Sequence, residues 1–184
     1  MILVFSGAGI SKASGIGTFI EQPELRDKLH RSYAQRFPND YKLAILSLFN
    51  SANLAQPNDA HLVLAEYNIP VITMNIDGLH EKAGSTPLTL HGTLPKREDI
   101  NRADKLTGQP VLYGDLAPNY ETAFEMVDAL SSKDVFIVVG ASSYTNIADQ
   151  LRMRALVRGA NVIEVNQNAE VELREVIEKF KAFL

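Results

Sequence analysis

Hydrophobic residues in this chain gather in short continuous runs, and segments with helical spacing lie between the runs. Runs rich in Val, Ile and Leu predict strands that are covered on both faces, because such strands are apolar at successive positions. The predicted strands are 2–5, 69–74, 87–90, 110–113, 134–140 and 160–166, and the predicted helices are 59–67, 77–83, 118–131, 147–158 and 168–182. This alternation predicts an α/β fold with a doubly wound parallel sheet.

Two segments interrupt the alternation. Residues 20–57 carry helical spacing in "ELRDKLHRSYAQRF" and "DYKLAILSLFN", which predicts a small helical module inserted after the first loop. Residues 93–109 are charged and contain few apolar positions, which predicts a surface loop or a short helix. A chain of 184 residues has the size of one domain, so we expect a single domain over residues 1–184.

The composition narrows the class of protein. Hydrophobic residues make up 46% of the chain and charged residues 22%, which is typical of a globular domain, and no apolar stretch approaches the roughly 20 residues of a membrane span. The net charge of −4 and the lack of Lys and Arg clusters predict that nucleic acid is not a partner. The chain has no Cys, which excludes disulfides, thiolate zinc sites and Cys nucleophiles. We therefore expect a cytoplasmic protein without a membrane partner, and the oligomeric state stays open.

Polar, often glycine-rich loops come after most of the predicted strands. The segment "GAGISKASG" follows the first strand, "NIDGLH" the second and "HGT" the third, and "GASS" and "NQ" follow the last two. Because the carboxyl ends of parallel strands meet at one edge of a sheet, these loops predict a ligand site at that edge. A glycine turn between a strand and a helix is suited to a phosphate, since bare backbone N–H groups converge there. Glycine turns also serve as plain chain reversals.

In this combination the chain resembles the sirtuins, the NAD-dependent protein deacylases. Five stretches carry the resemblance, in the family's order: "GAGISKASGI" at 7–16, "PNDAH" at 57–61, "NIDGLH" at 75–80, "LHG" at 90–92 and "VIEVN" at 162–166. The resemblance runs from residue 2 to about residue 167. It implies a Rossmann-like sheet that binds NAD, with the first strand in the middle and its loop as the floor of the cofactor site.

The resemblance also implies roles for individual residues. By resemblance, the NAD pyrophosphate is met by Gly7, Ala8, Gly9 and Ser11, and the adenosine half by Gly140, Ser142 and Asn166. Phe19 matches the aromatic over the nicotinamide pocket, Asn75 serves the ribose and a bound water, and Asp77 with Ile76 holds the nicotinamide carboxamide. On the residues alone, Ser142 and Asn166 could equally be strand-end caps, and "NIDG" could cap the following helix.

His91 is the candidate general base. It follows a short apolar strand and precedes Gly92, which predicts that its imidazole lies at the sheet edge. In the sirtuins the matching His takes a proton from the ribose as the substrate's amide oxygen attacks the carbon that releases nicotinamide. A group that titrates near neutrality suits this task. Among the other histidines, we expect His30 at the surface, and His61 and His80 fixing loops or helix starts.

The chain departs from the sirtuin pattern in three places. The family's first loop continues Pro, Asp, Phe, Arg, whereas residues 17–20 here read Gly, Thr, Phe, Ile. Met74 stands where a Gln precedes "NID", and a thioether cannot replace the paired hydrogen bonds of an amide. The two CxxC pairs of the family's zinc module are missing, and residues 93–109 form a shorter loop than the roughly 23–28 residues that such a motif needs. We therefore expect no zinc and no other metal ligand.

The zinc module of the sirtuins braces the groove in which a peptide lies as an added strand. Both groove edges are retained here, as "YGDLAP" at 113–118 and "GASSY" at 140–144, so an acylated lysine peptide or protein is the expected partner. Three functions stay open on the sequence: a minimal sirtuin deacylase, an NAD hydrolase or ADP-ribosyltransferase that uses the same residues, and a non-catalytic module that binds NAD or ADP-ribose.

Overall fold

A five-stranded parallel sheet forms the centre of the protein in the computed structural model, which describes residues 1–141 and 146–182. The strands are β1 (Ile2–Ser6), β2 (Val71–Thr73), β3 (Leu88–Thr89), β4 (Val135–Val139) and β5 (Asn161–Val165). Their order across the sheet is β3-β2-β1-β4-β5, and every pairing is parallel. The first strand therefore lies in the middle of the sheet, as the resemblance to the sirtuins implies.

The central strand is buried on both faces. Along β1, Leu3 and Phe5 point into one apolar cluster, whereas Ile2 and Val4 point into the cluster on the opposite face. This alternation follows from the two-residue period of a strand. Because both faces of the sheet are covered, strands of continuous apolar sequence are stable here, and the doubly wound α/β prediction is confirmed.

Eight α-helices and two 3₁₀ helices connect the strands within the described residues. The α-helices are α1 (Pro23–Asp27), α2 (Arg31–Arg36), α3 (Pro38–Leu54), α4 (Asp59–Glu66), α5 (Leu79–Ala83), α6 (Asn119–Asp128), α7 (Asn146–Val157) and α8 (Ala169–Lys181), and the 3₁₀ helices are Ala8–Ser14 and Arg97–Lys105. Helices α6 and α7 pack on one face of the sheet, and α4 and α8 pack on the other. The five helices predicted after residue 57 are thus confirmed to within about three residues at each end.

A third apolar cluster lies apart from the sheet faces. It joins α2 and α3 to the 3₁₀ helix Arg97–Lys105, with Tyr41 and Ile45 buried at its centre. The range predicted to form an inserted helical module therefore contains α1, α2 and α3, while its separate status as a module stays a prediction. The charged segment 93–109 contains a short helix, one of the two forms that its sequence predicts.

The strand predicted at 110–113 is wrong. Its residues do not join the sheet: Val111 donates its backbone N–H to the carbonyl of His91 (2.8 Å), and Tyr113 exchanges backbone hydrogen bonds with residues 29 and 31. The two-residue bridge between His30 and Tyr113 is all the β pairing that this segment makes among the described residues. The run is apolar because Leu112 packs into the third cluster. An apolar run that is buried in this way has the same sequence pattern as a sheet strand.

Candidate active site

The glycine loop after β1 packs backbone to backbone against the end of β4. The N–H of Gly7 donates to the carbonyl of Val139 (2.9 Å), and that of Gly9 donates to the carbonyl of Gly140 (2.8 Å). A Cβ on Gly9 would lie 2.7 Å from Cα of Gly140, and one on Gly7 would lie 2.7 Å from the Gly140 carbonyl oxygen. Gly140 itself has a φ of +59°. Glycine is therefore required at these three positions for the loop to close onto the sheet.

Ser11, Asn75 and Asp77 form a hydrogen-bonded cluster beside this loop. The buried Ser11 hydroxyl donates to Oδ2 of Asp77 (2.7 Å), and Nδ2 of Asn75 donates to the Gly7 carbonyl (3.2 Å) and to Oγ of Ser11 (3.3 Å). Oδ1 of Asp77 accepts from the backbone N–H of Leu79 (3.0 Å), which caps α5. The "NIDG" segment thus caps its helix and also presents Asn75 and Asp77 to the first loop. We call Ser11, Asn75 and Asp77, together with Gly7, Gly9 and Gly140, the glycine-loop half of the site.

A buried polar network lies at the carboxyl ends of β1 and β2, next to the glycine-loop half. The Ser6 hydroxyl donates to Oγ1 of Thr73 (2.8 Å) and is hydrogen-bonded to Nε2 of His80 (2.8 Å), and Oγ1 of Thr73 accepts from the backbone N–H of Asn75 (3.1 Å). The His80 ring also packs edge-on against His61, with centroids 4.9 Å apart. These contacts fix the backbone at Asn75 through the side chains of Thr73, Ser6 and His80.

The paired histidines are held neutral by their surroundings. Burial, with a smaller effect of His61, lowers the pKa of His80 to about 3. Burial lowers the pKa of His61 to about 4, against a smaller opposing effect of the Asp77 carboxylate. His61 also completes the capping box of α4, whose N-cap is Asn58. The expectation that His61 and His80 fix a helix start and a loop is therefore confirmed. His30, expected at the surface, is half-buried and stacks on Tyr113 at 4.7 Å.

His91 lies one residue beyond the buried Leu90, at the end of β3 and its extension. Nε2 of His91 is 3.0 Å from the hydroxyl of Tyr120. Burial lowers the pKa of His91, and the hydrogen bond to Met74 opposes that shift. The imidazole is therefore neutral near pH 7 and has a nitrogen that can accept a proton.

The turn after His91 is held by glycine and by an arginine fork. Gly92 has a φ of +66°, and a Cβ there would lie 1.9 Å from the carbonyl oxygen of Gly108. Arg31 on α2 donates to both carboxylate oxygens of Asp115 (2.8 and 2.7 Å), and to the carbonyls of residues 104 (3.1 Å) and 106 (2.8 Å). A cavity of about 260 Å³ lies alongside, lined by residues on both sides of His91. We call His91, Tyr120, the turn at Gly92 and the Arg31–Asp115 pair the His91 half.

The remaining predicted site residues are less closely joined. Asn166 is exposed after β5 and donates to Glu164 (3.0 Å), which pairs with Arg152 (2.8 Å). Phe19 is half-buried and packs against the third apolar cluster, so its place over a nicotinamide pocket stays a prediction. Ser142 lies outside the described residues. Ile76 is buried, with its carbonyl accepting from the N–H of Leu94 (3.3 Å).

Several supporting residues were not found from the sequence. These residues are Tyr120, Arg31, Ser6 and Thr73, and none of them carries a motif of its own, since each acts through a partner at least 29 residues away in the chain. For Tyr120 the available signal was an aromatic residue at a helix start directly after a groove-edge motif. That signal does not distinguish a core aromatic from one that contacts His91.

A family-model comparison places this site in a known context. The model described as "Sir2 family" matches residues 7–110, more than half of the 184-residue chain. The chain belongs to the Sir2 family. It is 36% identical to NAD-dependent protein deacylase 1 of Caldanaerobacter subterraneus subsp. tengcongensis, over 90% of this chain and 82% of that protein. It is 32% identical to the NAD-dependent protein deacylase of Mycobacterium leprae, over 95% of this chain and 92% of that protein.

Solved Sir2 structures share the fold. One is a Sir2 homologue mutant in complex with 2′-O-acetyl ADP-ribose, with a TM-score of 0.82 and 24% identity over 100% of this chain and 92% of that chain. Another is Sir2Tm bound to a propionylated peptide, with a TM-score of 0.77 and 23% identity over 97% of this chain and 92% of that chain. The Rossmann-like architecture expected from the resemblance to the sirtuins is thereby confirmed.

Two findings concern metals and membranes. Residues 1–141 and 146–182 contain no group of three or more His, Asp or Glu side chains placed to hold a metal ion. Across the same described part of the Sir2 chain, no helix has both the length and the apolar character needed to cross a bilayer.

Proposed function

We propose that this Sir2 chain is an NAD-dependent protein lysine deacylase that releases nicotinamide and transfers the acyl group of a modified lysine to ADP-ribose. The observation that carries the proposal is the meeting of the glycine loop with Asn75 and Asp77, one strand away from a neutral, half-buried His91. The curated relatives named above are NAD-dependent deacylases, and the two structural neighbours hold an acylated peptide and an acetylated ADP-ribose.

The glycine-loop half fits NAD. Gly7 and Gly9 let the loop close onto the end of β4, and this close packing places the main chain of residues 7–11 beside Asn75 and Asp77, where the family pattern assigns the pyrophosphate. Asn75 and Asp77 place an amide and a carboxylate next to it, which suits a ribose hydroxyl and a carboxamide N–H. When bound, NAD supplies the nicotinamide–ribose bond that breaks and the ADP-ribose that accepts the acyl group.

Each half of the site has its own task in this reaction. The family pattern assigns the pyrophosphate to Gly7, Ala8, Gly9 and Ser11, the nicotinamide carboxamide to Asp77 with Ile76, and the adenosine half to Gly140, Ser142 and Asn166. Phe19 covers the nicotinamide, and Asn75 holds the ribose and a water. His91 accepts the proton of a ribose hydroxyl, which makes that oxygen a better nucleophile toward the acyl carbon.

The substrate peptide lies between the segments 113–118 and 140–144. The first edge is fixed by the Arg31 fork on Asp115, and the exposed Tyr113 and Leu116 line it. The second edge is in part outside the described residues. An extended peptide that adds a strand between two such edges gains affinity from main-chain hydrogen bonds and accepts many sequences.

A second candidate, hydrolysis of NAD by water, is favoured by one feature. Met74 lies against Gly7 at the position where the family has a Gln, and its methyl carbon would be 2.9 Å from a Cβ on that glycine. The thioether gives no paired hydrogen bonds to hold a ligand in line. Looser positioning of the acyl oxygen leaves more turnovers to water, since positioning alone supplies several kcal/mol of a bimolecular barrier.

Product analysis tests the two candidates together. The protein is incubated with NAD, with and without lysine peptides that carry acetyl, propionyl or succinyl groups, and the products are identified by mass spectrometry. We expect O-acyl-ADP-ribose with at least one peptide, and faster nicotinamide release when that peptide is present. Equal release with and without peptide, yielding free ADP-ribose alone, would move the assignment to an NAD hydrolase. Absence of nicotinamide in every arm, with NAD binding intact, would leave a binding module.

A further inference from the structure

Tyr120 contacts the nitrogen of His91 that the proposed reaction uses. The phenol oxygen lies 3.0 Å from Nε2, and the two ring centroids are 6.1 Å apart. Tyr120 is the second residue of α6, so this contact joins a helix on the sheet face to the end of β3. The contact is a hydrogen bond in addition to packing.

The direction of this hydrogen bond depends on which ring nitrogen carries the proton. The phenol keeps its proton, because burial raises the pKa of Tyr120. A neutral imidazole has one N–H, and a ring protonated at Nδ1 has its lone pair on Nε2. In that tautomer the phenol hydroxyl is the donor and Nε2 is the acceptor.

Tyr120 is held in place from two sides. Nδ2 of Asn119 donates to the carbonyl of Thr89 (2.7 Å), which ties the first turn of α6 to β3 two residues before His91. The ring of Phe124 packs edge-on against Tyr120 with centroids 6.5 Å apart, and the guanidinium of Arg154 lies 4.3 Å above Phe124. The phenol ring is therefore held in one position relative to His91.

We propose that Tyr120 is a positioning residue for His91, whose hydroxyl fixes the imidazole with its Nε2 lone pair toward the site and competes with the ribose hydroxyl for that lone pair. The inference rests on the proposed function for its role in catalysis. The hydrogen bond itself can be tested without turnover.

The consequence is a weaker base. A hydrogen bond donated to the neutral form of an imidazole disfavours protonation, so Tyr120 lowers the pKa of His91 in the same direction as burial does. The titratable group that acts on Tyr120 is Tyr113 on the groove edge, which raises the Tyr120 pKa together with burial. No carboxylate or cation of the described residues contributes to the pKa shift of either His91 or Tyr120.

Titration of His91 by ¹⁵N NMR, in the wild type and in Tyr120→Phe, tests the proposal. In the wild type we expect a neutral ring protonated at Nδ1 and hydrogen-bonded at Nε2. In Tyr120→Phe we expect the pKa of His91 to rise by about 0.5–1 unit, the equivalent of one hydrogen bond. The acid limb of kcat/KM is expected to move by the same amount.

Tyr67→Phe is the matched control, since it removes a phenol hydroxyl that faces Glu178 at 3.4 Å on the far side of the sheet. It is expected to leave the His91 titration unchanged. An Nε2–H ring in the wild type, or a His91 pKa that does not move in a folded Tyr120→Phe variant, overturns the proposal. If the NMR results hold but no variant turns over NAD, the proposed function fails and the positioning contact stands.

Discussion

The two halves of the candidate site are held by different kinds of contact. In the glycine-loop half, segments that come directly after β1, β2 and β4 meet through backbone and short side chains, as Gly9 does with Gly140. In the His91 half, Tyr120 on α6 contacts the base and the Arg31 fork holds the neighbouring segments 104–106 and 115, so these contacts come from residues 29 and 60 positions away from His91 in the chain. The first half therefore depends on the residues at the carboxyl end of each strand, and the second depends on contacts that the fold assembles.

Replacement of the base is expected to give the largest effect. His91→Ala should reduce turnover by ~10²–10⁴ while NAD affinity stays within a few-fold, because none of the side-chain hydrogen bonds among the described residues joins His91 to Ser11, Asn75 or Asp77. Steady-state kinetics and calorimetric NAD binding measure the two quantities separately.

The contrasting variant is Asp77→Asn, in the other half. It should weaken nicotinamide exchange and nicotinamide inhibition, since Asp77 is assigned to the carboxamide. If His91→Ala loses NAD binding or unfolds, His91 is a structural residue and the division into two halves is wrong.

Loss of the arginine fork is expected to give the next largest effect, on stability. Arg31→Met removes four hydrogen bonds and leaves the Asp115 carboxylate, whose side chain is 14% exposed, without its partner. The free energy of unfolding should fall by about 3 kcal/mol, measured by denaturant titration. Hydrogen exchange should speed up at residues 104–115 and remain slow in β1.

Arg26→Met is the control for that variant, because Arg26 forms an exposed pair with its neighbour Asp27. Exposed pairs contribute about 0–1 kcal/mol, so its stability should match the wild type closely. Equal losses in the two variants would mean that the fork at Asp115 does not hold the His91 half.

The sequence predicts most of the residues in the glycine-loop half and fewer of those in the His91 half. The sheet and the helices after residue 57 are predicted because apolar period and strand-end loops are local properties, whereas the central place of the first strand is predicted only by the resemblance to the sirtuins. Ser11, Asn75 and Asp77 are predicted to share a site because parallel strands bring their carboxyl ends together, and the structure joins them directly.

The segment 110–113 and Tyr120 show where such reasoning ends. An apolar run with Val and Tyr can pack against a helical cluster or pair with a sheet strand. The sequence of the run does not determine which of the two it contacts. The hydrogen bond of Tyr120 to His91 likewise depends on the placement of α6 against β3, a contact across 29 residues. The local apolar pattern determines the helices and strands, whereas contacts between distant segments determine how His91 is positioned.

Mild acid is expected to act on the glycine-loop half. His61 and His80 have pKa values lowered to about 4 and about 3, whereas in the unfolded chain a His titrates near 6.5. The unfolded state therefore binds more protons as the pH falls below about 6.5, and stability is lost from there down toward the folded pKa values. Between pH 7 and pH 5 each histidine should cost roughly 2 kcal/mol of unfolding free energy.

That pH dependence can be assigned by mutation. His80→Asn should be less stable at pH 7 but should lose about half of the pH dependence between pH 7 and pH 5, measured by urea titration at each pH. His30→Asn, in the groove-edge stack, serves as the control and should keep the full slope. A full slope in His80→Asn would show that His80 is not held neutral beneath Asn75.

The smallest expected effect is that of a single hydroxyl at the centre of the glycine-loop half. Ser11→Ala removes the donor to Asp77 at 2.7 Å and the acceptor for Asn75 at 3.3 Å, both in a buried position. One such hydrogen bond contributes about 1 kcal/mol, so stability should fall by that amount and NAD affinity by about fivefold. Ser14→Ala is the matched control, because Asn58 keeps its second acceptor, the Ile10 carbonyl at 2.8 Å, when the Ser14 hydroxyl is lost. Because no side-chain hydrogen bond among the described residues joins Ser11 to His91, the His91 titration should not move in Ser11→Ala. A shift there would show that the glycine loop and the base are held by one network rather than two.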